Sequence, residues 1–229
     1  MINKSQTFIL PTSHGKEISR FIDHTLLKPD VSEKDIEKLC EEALFYNFAA
    51  VCVTPVMVVT AASCLAGSNI KVCTVVSFPF GTSTTTVKQF ETEIAIQNGA
   101  REIDMVAAIW AIKESKWRIV EHDIKSVVQT ASGITVKVII ETCLLNKEEI
   151  KTVSNIIKEA GAHYVKTSTG FSTGGATIAD ITLIRKCVGE NFGIKASGGI
   201  KTFDAAIQMI KAGANRIGTS SAVAIVTQR

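Results

Sequence analysis

The sequence lacks the patterns that most metal, redox and export functions require. Its four histidines, His14, His24, His122 and His163, form no H-x-H or H-E-x-x-H pattern, so no histidine-built metal site is expected. None of its six cysteines (Cys40, Cys52, Cys64, Cys73, Cys143, Cys187) pairs as C-x-x-C, which argues against a redox motif or a zinc ribbon. The formal net charge is only +3, and no Lys/Arg cluster carries interleaved aromatics, so nucleic acid is not an expected partner. The opening MINKSQTFILPTSHGKE has neither an apolar run of signal-peptide length nor a small-residue cleavage site. The expected location is therefore cytoplasmic, with the cysteines, Cys52 and Cys143 among them, reduced and in the core. Residues 48–66 carry no charge, yet Pro55 interrupts them and Thr54, Thr60 and Ser63 dilute them. That stretch reads as a buried strand, a turn and a helix, and no membrane span is expected.

What is present is alternation. Short β-branched runs occupy Arg20–Thr25, Ala49–Val53, Lys71–Val76, Glu102–Val106, Val136–Glu141, His163–Thr167, Gly193–Ala196 and Asn215–Gly218. They recur at the length of a βα unit, with helical patterns between them. Ser32-x-x-Asp35 and Asn146-x-x-Glu149 have capping-box form, and Thr177-x-x-Asp180 and Thr202-x-Asp204 open two more helices. Ile36, Leu39, Cys40, Ala43 and Leu44 form one apolar stripe; Val120, Ile124, Val127, Val128 and Ala131 form another. The junctions Gly99-Ala100, Gly161-Ala162 and Gly213-Ala214 each close a helix and lead into a strand. Eight such units without a linker predict an α/β protein with one (β/α)₈ TIM barrel spanning residues 1–229. Residues 1–19 are expected to be an N-terminal extension or helix packed on it. An open doubly wound sheet is the runner-up, but it lacks the G-x-G-x-x-G expected after its first strand.

Charged residues inside strand runs are the unusual feature: Asp23, Asp104, Lys137, Lys166 and Lys195, with Glu141 at a strand end. A lone strand-end lysine usually extends to water. The set is different, because side chains alternate at period two and several would point into one barrel, where burial is costly unless they are paired or used. Two neighbouring inward lysines have a chemical use. A second ammonium, with partial desolvation, favours the neutral amine that attacks a carbonyl, and the resulting iminium is an electron sink for C–C cleavage. Ser197-Gly198-Gly199 and Gly218-Thr219-Ser220-Ser221 follow the last two strands, where barrels of this kind bind phosphate, and Gly170 lies just after Lys166.

In order and spacing, FIDHTLLKPD, CVTP, VVSFPFG, FETEIAIQNGAREIDMV, KVIIETCLL, VKTSTGF, KASGGIKT and ANRIGTSS resemble the deoxyribose-phosphate aldolases from about Phe21 to Ser221. The resemblance implies a class I aldolase. It would reversibly cleave 2-deoxy-D-ribose 5-phosphate to D-glyceraldehyde 3-phosphate and acetaldehyde, without a metal or other cofactor. By motif, Lys166 is the Schiff-base residue, Lys195 the perturbing and proton-relay lysine, and Asp104 its partner. Asp23, Thr25, Lys137 and Thr167 are implied substrate contacts, and Gly170, Ser197, Gly198, Gly199, Gly218 and Ser220 the phosphate loops. The sequence departs from the family where Lys201 stands for a frequent Arg and where Trp110 is expected to narrow the site mouth. A phosphorylated sugar is the implied partner, and a homodimer or homotetramer is left open. Rival readings are another Schiff-base sugar-phosphate lyase or transaldolase, a sugar-phosphate isomerase using a carboxylate base, or a non-catalytic sugar-phosphate binder.

Overall fold

A computed structural model describes residues 13–227; the expected extension over 1–12 lies outside the described residues. The elements run α1 (Ser13–Ser19), β1 (Ile22–Leu26), α2 (Glu33–Tyr46), β2 (Ala50–Val53), α3 (Val58–Cys64), β3 (Lys71–Val76), α4 (Thr85–Gln97), β4 (Glu102–Val106) and α5 (Ile109–Lys113). They continue as α6 (Trp117–Ala131), β5 (Thr135–Ile139), α7 (Lys147–Glu159), β6 (Tyr164–Lys166), α8 (Ile178–Val188), β7 (Gly193–Ser197), α9 (Phe203–Lys211), β8 (Arg216–Thr219) and α10 (Ala222–Thr227). The eight strands are parallel and close in sequence order, β8 pairing with β1. The chain is a (β/α)₈ barrel, as expected, and α1 packs on α10 beside it.

The local signals act as read. Ser32 and Asp35 cap α2 reciprocally, as do Asn146 and Glu149 on α7, while Thr177 and Thr202 accept backbone N–H bonds at the starts of α8 and α9. Gly99, Gly161 and Gly213 all have positive φ. At each, the following alanine N–H reaches back five residues (Ala100 to Ala95, Ala162 to Ile157, Ala214 to Met209). That is one Schellman turn used three times, each leading into the next strand. Ile103, Met105, Val165 and Ile194 are fully buried outside the barrel wall, against the helices. Each contributes about 1.5–3 kcal/mol of burial and fixes by alternation which neighbours face inward. Leu44 leaves its stripe: it is exposed, and Tyr46 is the buried residue at the end of α2.

Candidate active site

The barrel interior is divided. Toward β2 and β3 it is apolar, built from Leu27, Ala50, Cys52, Cys73 and Val75 with Phe78 against them. The other strands direct charge inward: Asp23 from β1, Glu102 and Asp104 from β4, Lys137 from β5, Lys166 from β6, Lys195 from β7 and Arg216 from β8. Asp23, Asp104, Lys137 and Lys195 have no exposed surface. Charges so enclosed persist only if paired.

They are paired in a ring. Glu102 Oε2 lies 2.5 Å from Lys137 Nζ, which donates to Asp104 Oδ1 at 2.9 Å. Asp104 Oδ2 accepts from Lys195 Nζ at 2.8 Å, and Lys195 also donates to Asp23 Oδ2. Asp23 Oδ1 accepts from Arg216 at 2.7 Å, and the other arm of Arg216 returns to Glu102 Oε1 at 3.3 Å. Three carboxylates and three cations alternate, so the ring is neutral. Lys166 is the additional member: its Nζ donates to Asp104 Oδ2 at 2.7 Å, the oxygen that Lys195 also uses. It brings a fourth cation to a set that is already balanced.

The ring holds its own charges firmly. Burial opposes the charged form of Asp104, but Lys137, Lys166 and Lys195 outweigh it and hold that carboxyl well below the usual range. Asp23 is likewise depressed, with burial overcome by Lys195, Arg216 and Lys137. Burial would discharge Lys195 and Lys137, yet the carboxylates raise both above the ordinary lysine value. Burial pushes the Cys73 thiol well up, so it stays protonated and donates to Asp104 Oδ1 at 3.1 Å. Two sets of ligand-type atoms, Cys52–Cys73–Asp104 and Asp23–Cys73–Glu102, each fall within 4.8 Å. The Lys137 ammonium already sits among the second set, 3.4 Å from Cys73 Sγ and 3.9 Å from Asp23 Oδ2.

Above the ring, on the C-terminal side of the strands, is a cavity of about 370 Å³. Lys166 is the one cation of the cluster that lines it. Its rim includes Gly170 after β6, Ser197, Gly198 and Gly199 after β7, and Gly218 and Ser220 at β8, with Lys28 and Lys201 adding positive charge. Glu141 braces the β6 loop from the neighbouring strand end: its carboxylate accepts from Thr169 N at 3.2 Å and from the Thr169 hydroxyl. The Lys166 amine beneath a glycine- and serine-rich rim that carries Lys28 and Lys201 suits covalent handling of a phosphorylated carbonyl compound.

A model of the DeoC/LacD family of aldolases matches residues 18–227. The chain belongs to that family. It is 56% identical over 211 residues to a deoxyribose-phosphate aldolase of Exiguobacterium sibiricum, covering 92% of this chain and 96% of the relative. A deoxyribose-phosphate aldolase of Streptococcus sanguinis is 52% identical over 210 residues, with the same two coverages. Among solved structures, the aldolase QR15 superposes with a TM-score of 0.88 at 41% identity, covering 92% of this chain and 94% of that one. A deoxyribose phosphate aldolase from Aeropyrum pernix, described as tetrameric, superposes at 0.87 with 32% identity, covering 93% and 90%.

In this DeoC/LacD-family chain, the six expected phosphate-loop residues all reach the cavity. Ser197 does so with both donors engaged: its hydroxyl bonds Ser168 O at 2.6 Å and its N–H bonds Thr167 Oγ1 at 3.1 Å. Of the expected substrate contacts, Thr25 lines the cavity. Asp23 and Lys137 are enclosed in the ring beneath it, and Thr167 stitches β6 to Ser197 of β7. Trp110 is not among the residues lining the cavity over Lys166; it lines a neighbouring groove with Phe80, Leu144 and Phe171, and that groove shares Thr169 and Phe171 with the cavity. Cys143 is exposed rather than in the core, since β5 ends at Ile139 and the chain has left the barrel wall by then. Among the described residues no helix is long and apolar enough to cross a membrane. Arg216 and Glu102 were missed, although both were detectable: each sits one residue before an outward isoleucine, Ile217 or Ile103.

Proposed function

We propose that the chain is a class I aldolase that reversibly cleaves 2-deoxy-D-ribose 5-phosphate to D-glyceraldehyde 3-phosphate and acetaldehyde, with Lys166 as the Schiff-base residue. The observation that carries this is Lys166 itself, the surplus cation of a balanced ring and the member that faces the cavity. The neutral Lys166 amine adds to C1 of the open-chain sugar, and loss of water from the carbinolamine gives an iminium. Lys195, an ammonium held by Asp104 and Asp23, donates the proton that releases that water. As the free amine it then takes the C3 hydroxyl proton. The C2–C3 bond breaks, its electrons pass to the iminium nitrogen, and glyceraldehyde 3-phosphate leaves an enamine behind. Protonation at C2 and addition of water release acetaldehyde.

Asp104 accepts from both amines through one oxygen and is the path for protons between them. Asp23, Lys137, Glu102 and Arg216 set its charge and position, and Thr167 fixes the strand end after Lys166. The phosphate end of the sugar lies against Gly170, Gly198, Gly199 and Ser220, with Lys201 supplying charge. Incubation with deoxyribose 5-phosphate tests the proposal. Equimolar acetaldehyde and glyceraldehyde 3-phosphate are expected. An isomeric sugar phosphate without acetaldehyde would instead identify an isomerase.

A further inference from the structure

Lys195 stands on β7, but one of its two carboxylate partners, Asp23, stands on β1, and β8 runs between those strands. To reach Asp23 the Lys195 stem must cross the inner face of β8. At that crossing the β8 residue is Gly218, in register with Ser197 on one side and Asp23 on the other. Gly218 is not among the glycines with positive φ, so its strand backbone would accept any residue. What requires glycine there is the space. A Cβ on Gly218 would lie 2.9 Å from Lys195 Cε and 3.8 Å from its Nζ, and 3.1 Å from Ser197 Cβ. Cε–Nζ is the flexible end of Lys195, so that end gives way first. It is also the part that bonds Asp104 and Asp23.

We propose that Gly218 is a positioning residue for Lys195, acting through the channel its bare α-carbon leaves across β8, in addition to any contact it makes with phosphate. This rests on the aldolase reading above, in which Lys195 moves protons. Gly218→Ala should displace the Lys195 ammonium from Asp104 and lower kcat by roughly 10- to 100-fold, the range expected when a catalytic group shifts by about an ångström. The loss should be equal for deoxyribose 5-phosphate and unphosphorylated deoxyribose. A rise in KM confined to the phosphorylated substrate, with kcat unchanged, would show that Gly218 serves phosphate alone. No effect on either substrate would also overturn the proposal.

Epistasis supplies the second arm. In a Lys195→Ala background, which removes the clashing atoms, Gly218→Ala should add little further loss of stability to urea. If it remains as harmful there as in wild type, its conflict is with Ser197 or the backbone and the proposal fails. That comparison also serves if Gly218→Ala alone folds poorly. Borohydride trapping of wild-type Lys166 with acetaldehyde, run alongside, keeps failure of the aldolase reading distinguishable from failure of this one.

Discussion

Replacing Lys195 with leucine removes one cation from the ring and changes what Lys166 must do. The cluster would then hold three carboxylates and three cations, and the Lys166 ammonium would be needed to balance Asp104. Two fully buried carboxylates, Asp23 and Asp104, also lose a hydrogen-bond donor. Breaking a buried pair from one side costs about 3–5 kcal/mol, so urea unfolding should show a loss of that order. A like charge at this range is worth about 3–4 kcal/mol at an effective dielectric near 20. Its removal should slow imine formation at neutral pH by about 100-fold or more, since each 1.36 kcal/mol is about tenfold. The assay is the rate of borohydride trapping with acetaldehyde across pH. The leucine variant should recover in part as pH rises, while the proton donor for the departing water stays missing. Lys195→Arg keeps the charge but does not release a proton. At neutral pH it should trap faster than the leucine variant, slower than wild type, and turn over slowly. A leucine variant that traps as fast as wild type at neutral pH refutes the reasoning.

Other outcomes follow from the same geometry. Ser220→Ala and Lys201→Ala should raise KM for deoxyribose 5-phosphate several-fold and leave unphosphorylated deoxyribose unchanged; equal effects on both would remove these residues from phosphate recognition. Stability should be flat through neutrality and fall at both extremes. Asp23 and Asp104 are depressed, so their contribution is full above the unfolded value of about 3.9 and is lost as pH drops toward the folded ones. Lys137 and Lys195 are raised, so theirs is full below about 10.4 and is lost as pH climbs through the folded values. Urea midpoints that change steeply between about pH 6 and 8 would contradict this assignment of the ionised groups. Activity should withstand EDTA, because the Lys137 ammonium already sits against Cys73 and a carboxylate of each of the two buried donor sets; loss of turnover restored by zinc would contradict a metal-independent cleavage.

Much of the barrel was legible because its signals are local. Capping at Ser32 and Asn146 and the three Gly-Ala junctions each set a boundary within a few residues, and strand alternation told Lys166 from Val165 and Lys195 from Ile194. The rest depends on closure. That Arg216 on β8 meets Asp23 on β1 and Glu102 on β4 follows from the barrel's shear, which no stretch of sequence displays. Glu141 read as a strand end, yet it adopts a left-handed φ of 51° and turns its carboxylate to Thr169. A non-glycine residue there gives no advance sign. Which groove Trp110 lines was not legible either, because the five-residue helix that carries it is packed against α6 and the more distant α7. Gly218 read as a ligand-facing glycine, and its closeness to Lys195 appears only once β8 lies between β7 and β1.

The central claim is that Lys166 is the residue that forms the imine, and it is tested by treating the protein with acetaldehyde and borohydride and mapping the modified peptide. A stable ethyl adduct on Lys166, absent from Lys137 and Lys195, is the predicted result. Adducts confined to surface lysines such as Lys38 or Lys151, with Lys166 unmodified while deoxyribose 5-phosphate is being cleaved, would contradict it.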